Sequence, residues 1–122
     1  MATQPEQLRA RTKQFAIRIV TLFKSLPKTD EARIIGKQVM RSGTSVAANY
    51  RSTGRARSRA DFVSKMGVVV EEADETVFWL ELLVDTGVVR KARMESLLAE
   101  ANELLAIFAA SHCTARQGRS AQ

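Results

Sequence analysis

"RADFVSKMGVVVEEADETVFWLELLVDT", residues 59–86, decides between an all-helical chain and one with a central strand. Three β-branched residues in a row, Val68, Val69 and Val70, suit a strand, but strong helix formers flank them and no turn cluster breaks the stretch. The spacing therefore predicts one long helix. Phe62, Met66, Val69, Val70, Ala73, Val77, Leu80 and Leu83 fall on one stripe and form its core side. Val68, Phe78, Trp79 and Leu82 remain on other faces, which exceeds what a monomeric bundle needs. A helix apolar on two sides is normally covered on two sides, so these four residues are the expected oligomer interface and a homo-oligomer is the expected state.

Working outward, Ser58 followed by Asp61 resembles a capping box in its weaker Asp version, and Gly87 is a natural C-terminal stop, giving a helix over 59–86. Thr29 is a plausible N-cap, with Asp30 and Glu31 complementing the dipole, for a helix over 30–53 that ends near Gly54. Leu8, Phe15, Ile19, Leu22, Phe23 and Leu26 recur at helical spacing between Pro5 and Pro27, which predicts a helix over 5–26. Met94, Leu97, Leu98, Ala101, Leu104, Leu105 and Phe108 form a fourth stripe over 92–112, and the polar residues 113–122 read as a mobile tail. Short connections between four helices imply an all-α, up-down-up-down four-helix bundle, a single domain over residues 1–122.

The composition agrees with that size. With 122 residues and 45% hydrophobic content, a packed core needs neither disulfide nor structural metal. The net charge of +6 and pI near 10.1 favour polyanionic partners without identifying one. One cysteine, Cys113, with the lone His112 beside it, gives neither an internal disulfide nor a zinc site, and a reducing cytoplasm is the expected compartment. The first residues lack the apolar core of a signal peptide, and no apolar run approaches the roughly 20 residues needed to span a bilayer, so no membrane association is expected.

Few residues suggest catalysis. Glu71, Glu72, Asp74 and Glu75 invite a di-metal reading, yet such bundles draw glutamates from several helices and pair them with Glu-x-x-His, whereas His112 has no glutamate three positions before it. No triad geometry or glycine-rich phosphate loop is present, so we expect no enzyme, metal or cofactor. Ser42, Ser45 and Asn49 share one helix face beside Gly43 and Ala47; they read either as a polar contact surface or as close helix packing, and poor helix formers in mid-helix favour packing. Charge is segregated more sharply than the total suggests. Residues 41–65 hold Arg41, Arg51, Arg55, Arg57, Arg59 and Lys65 against Asp61 alone, while residues 66–86 hold six acids and no base. Oligomerisation would repeat the basic corner by symmetry. With only Tyr50 and Phe62 nearby there is no base-stacking platform, so phosphate contact without sequence readout is the expected mode.

"RSGTSVAANYR" (41–51), "RARSRADFVSKM" (55–66) and "EEADETVFWLELL" (71–83) resemble, in order and spacing, the four-helix-bundle family of proteins encoded in intervening sequences of 23S ribosomal RNA genes, also labelled S23 ribosomal proteins. The resemblance covers about residues 8–112. It implies a homopentamer and a similarity to the accessory protein of diversity-generating retroelements, a basic pentamer that binds nucleic acid and a reverse transcriptase. Arg41, Ser42, Ser45 and Asn49 match the family's second helix; Arg55, Arg57, Ser58 and Phe62 its junction; Glu72, Glu75, Trp79 and Glu81 its third helix. Ser52 and Thr53 depart from it, since relatives generally carry glutamate and a small residue there, and the junction is correspondingly more basic.

The expectation is a non-enzymatic oligomeric scaffold that binds RNA or DNA through Arg51, Arg55, Arg57, Arg59 and Lys65. Arg41, Ser42, Ser45, Asn49, Glu72 and Glu75 are expected to form a polar network between helices. The alternative is a protein-interaction scaffold whose arginines pair with acids across subunits.

Overall fold

The computed structural model describes residues 3–118. Its four helices are α1 (Gln4–Ser25), α2 (Asp30–Thr53), α3 (Arg59–Asp85) and α4 (Lys91–Arg116), with no strand among the described residues. Local chemistry accounts for most of the boundaries. Thr3 caps α1 by accepting from the Glu6 N–H at 3.2 Å, with Pro5 in the first turn, and Thr29 caps α2 by accepting from the Ala32 N–H at 3.3 Å. Gly87 adopts φ +77° after α3, a left-handed conformation that spares a side chain, and its N–H closes onto the Val84 carbonyl at 3.0 Å. The run Val68–Val70 lies inside α3, as the surrounding helix formers require.

Each helix packs along the next in sequence, and α1 meets α4 through a much smaller contact. Phe15, Ile19, Val39, Val46, Met66, Leu80, Met94, Leu104 and Phe108 form the centre of the core, all essentially removed from water. On α3, Met66, Val69, Ala73, Val77, Leu80 and Leu83 are buried, while Phe62 and Val70 pack at its margin. Polar pins close the thin α1/α4 seam. Arg11 reaches both Glu100 oxygens at 2.8 Å and Glu103 at 2.8 Å, Arg18 donates to Ser96 at 2.9 Å and Arg93 to Ser25 at 2.6 Å.

The C-terminus corrects the sequence reading. Helix α4 does not stop at His112; it continues to Arg116 and buries Ala115, because nothing before Gly118 breaks a helix and Arg116 suits a helix C-terminus. Residues 113–116 are thus helix and not tail, and residues 119–122 lie outside the described residues.

Candidate functional site

The α2/α3 corner is built by two local motifs. Helix α2 tapers through short-range bonds, from the Arg55 N–H to the Ser52 carbonyl at 3.0 Å and from the Ala56 N–H to the Thr53 carbonyl at 3.2 Å. Helix α3 then starts at Ser58, whose hydroxyl accepts from the Asp61 N–H at 3.0 Å. Asp61 answers in kind, but one residue further back than a regular capping box, accepting from the Arg57 N–H at 3.0 Å. The Arg57 N–H and the ammonium of Lys65 together hold the Asp61 carboxyl below the usual carboxylate range.

This arrangement separates the five expected cations into two kinds. Lys65 is tied to both oxygens of Asp61 at 2.9 and 3.1 Å, so its charge is largely spent locally. Arg51, Arg55, Arg57 and Arg59 are exposed, and none forms an ion pair with a described carboxylate, although the charge of Arg57 also acts on Asp61. Arg59 lies against the end of α4, with Nη1 2.7 Å from where a Cβ on Gly118 would stand. Helix α1 adds a cation that the sequence reading missed. Arg9 Nη1 is 3.8 Å from the Cβ position of Gly54, and Arg9, Lys13 and Arg51 line a groove floored by Ala10, Thr44, Ala47 and Ala48. Arg9 and Lys13 are one turn apart on α1, and an up-down bundle necessarily sets the start of α1 beside the end of α2; that topological step was the available signal.

The polar network lies farther along α2 and α3. Arg41 pairs with Glu72 at 3.3 Å and with Glu75, which also accepts from the Trp79 indole N–H at 2.9 Å. Ser42 is fully buried and hydrogen-bonded at 2.9 Å to Thr76, a residue the sequence reading did not single out. Asn49 donates to the Ser45 carbonyl at 2.9 Å, so this pair stays on its own helix instead of joining the Arg41 network. Close packing dominates beside them: a Cβ on Gly43 would stand 2.8 Å from Ile19.

The four residues expected outside the core divide by exposure. Val68 is 40% and Phe78 53% exposed, whereas Trp79 and Leu82 are half-buried, with Trp79 packed on the core and edge-on to Phe78 at 4.9 Å. Among the described residues no group of three His, Cys, Asp or Glu side chains could hold a metal ion, and no helix is long and apolar enough to cross a membrane.

The family model of the 23S rRNA-intervening sequence protein matches residues 7–110. The chain belongs to that family. A crystal structure of a protein of unknown function from the S23 ribosomal protein family of Bacteroides thetaiotaomicron is similar over 92% of this chain and 100% of its own, with 35% identity and a TM-score of 0.84. No match is found among curated proteins. The shared fold accounts for the four-helix arrangement of this chain.

Proposed function

We propose that this chain is a non-enzymatic, oligomeric helical scaffold that binds the phosphate backbone of RNA or DNA through Arg51, Arg55, Arg57 and Arg59. The observation that carries this reading is the gathering of four exposed guanidiniums at the α2/α3 corner, none in an ion pair with a described carboxylate and only Arg57 within electrostatic reach of one, Asp61. Unpaired arginines keep their field and their donors for phosphate, and Lys65 is left out because Asp61 holds it. Tyr50 is buried and Phe62 packs against the core, so among the described residues the corner presents no aromatic platform, which supports backbone contact without base readout. Five subunits enter the proposal only through what the family resemblance implies, and a reverse transcriptase as partner only through the proposed similarity to the retroelement accessory protein.

Fluorescence anisotropy with labelled RNA and DNA of unrelated sequence tests it. Affinity should fall with salt, each phosphate contact contributing roughly 0.7 to 0.9 to the log–log slope. Reversing Arg55 and Arg57 to glutamate should weaken every probe alike and lower the slope by roughly two contacts, with subunit number unchanged. An unaltered slope would remove the corner as the site. Dissociation into monomers would instead show that the arginines pair with acids across subunits.

A further inference from the structure

Two surfaces of this molecule are unsatisfied in opposite ways. On α3, Phe78 stands 53% exposed with carboxylates at −7, −4, +3 and +7, namely Glu71, Asp74, Glu81 and Asp85. These positions put all four on the helix face that carries the ring, and none forms an ion pair among the described residues. Phe78 is also held in place: it packs edge-on against Trp79, whose indole is anchored on Glu75, itself paired with Arg41. A rigid aromatic loses little freedom on docking. On α1 and α2 the reverse pattern occurs, a groove with Arg9, Lys13 and Arg51 at its rim and small residues, Ala10, Ala47 and Ala48, on its floor. Arg9, Lys13 and Arg51 likewise make no ion pair with a described carboxylate.

We propose that Phe78 and its carboxylates seat in the α1/α2 groove of a second copy of this chain, the ring on the alanine floor and the acids against Arg9 and Lys13. Complementarity selects this occupant: the unpaired acids around Phe78 match the cations Arg9, Lys13 and Arg51, and the alanines between them can take the ring, which phosphate contact alone would leave unused. Phe78 and the groove are two different patches, so a subunit pair that makes this contact once makes it heterologously, and repeating it head to tail closes a ring when the rotation permits. This rests on the oligomeric part of the proposed function and divides the cations: Arg9 and Lys13 face the neighbouring subunit, Arg55, Arg57 and Arg59 stay outside the groove for phosphate, and Arg51, at the groove's rim, borders both surfaces. The central aromatic with a charged surround matches the way interface energy concentrates on a buried anchor.

Light scattering of the full chain at micromolar concentration, with far-ultraviolet circular dichroism as the control for folding, tests the docking. The wild type should exceed the 13.5 kDa monomer mass severalfold. Arg9→Glu with Lys13→Glu, and separately Glu71→Lys with Asp74→Lys, should each lower the mass to that of the monomer with helix content retained. Combining all four changes in one chain should restore the assembly, because the charges are then complementary again. Phe78→Ser, at an exposed position, should dissociate the assembly without any change of charge. A monomeric wild type would overturn both the docking and the oligomeric scaffold. An oligomeric wild type whose mass survives each single-face variant and Phe78→Ser, or a four-fold variant that stays folded and monomeric, would overturn the docking alone. The salt slope of the Arg55→Glu/Arg57→Glu variant is read independently of either result.

Discussion

Replacing Gly43 by alanine measures how closely α1 and α2 approach. The new Cβ would stand 2.8, 3.0 and 3.2 Å from three side-chain carbons of Ile19. Ile19 is wholly buried, and its β-branched side chain is stiff about χ1, so it has no easy route out of the way. Overpacking of this kind costs about 1–3 kcal/mol, against which alanine recovers about 1 kcal/mol of helix propensity over glycine. With a stiff, enclosed neighbour the upper part of that range applies, leaving a net loss of about 1–2 kcal/mol. For a chain of this size that is roughly 4–8 °C in melting temperature. Gly36→Ala is the internal control. Its Cβ would meet Leu26 Cδ1 at 2.6 Å and the Phe23 ring at 3.2 Å; the first is the far end of a flexible side chain at the end of α1 and the half-buried ring need give by only a few tenths of an ångström, so the loss should be smaller than at Gly43, about 1 kcal/mol or less. Urea denaturation followed by circular dichroism, at one fixed protein concentration because assembly would couple to unfolding, separates the two. A Gly43→Ala protein as stable as wild type would show that the helices do not approach this closely.

Thr76→Val should cost about 1–3 kcal/mol by leaving the buried Ser42 hydroxyl without its partner on α3, and adding Ser42→Ala should recover part of the loss; two independent, additive losses in a urea double-mutant cycle would refute the coupling. Arg11→Gln should cost about 1 kcal/mol near neutral pH, a value discounted because the ion pairs at the α1/α4 seam are partly exposed. The hydrogen bond from Arg11 holds the Glu100 carboxyl below its usual range, so the native carboxylate gives up its proton more readily than the unfolded one. Its contribution is therefore complete above the ordinary glutamate value of about 4.3 and disappears as pH falls through the lowered native value. Thermal melts should show the deficit of Arg11→Gln shrinking as pH falls below the ordinary glutamate value of about 4.3, and a deficit that does not change with acidification would mean that Arg11 acts by packing alone.

Helix existence and most helix ends were legible because each depends on a few consecutive residues. Thr29, Ser58 and Gly87 act through bonds that span three to six positions, and the observed α2 and α3 start at the residues these signals indicate. Where no such signal exists the reading failed: polarity after His112 suggested an end, yet only a breaker ends a helix, and none comes before Gly118. Lys65 was also within reach, since Asp61 lies one turn before it, but counting cations as a block concealed the pair. The burial of Ser42 followed from a poor helix former in mid-helix, whereas Thr76 carried no comparable mark, because its role depends on which residue of α2 lies opposite. Phe78 and Trp79 were equivalent as surplus apolar residues; the rotation of α3 against α2 and α4 set the edge of the core between these neighbours, turning one ring outward and the other in. Arg9 and Lys13, more than thirty residues from the arginine cluster, look like ordinary surface charges in sequence. They reach the basic end of the molecule because antiparallel packing brings the start of α1 to the end of α2, a proximity created by burial of the shared apolar faces and encoded by no short stretch of the chain.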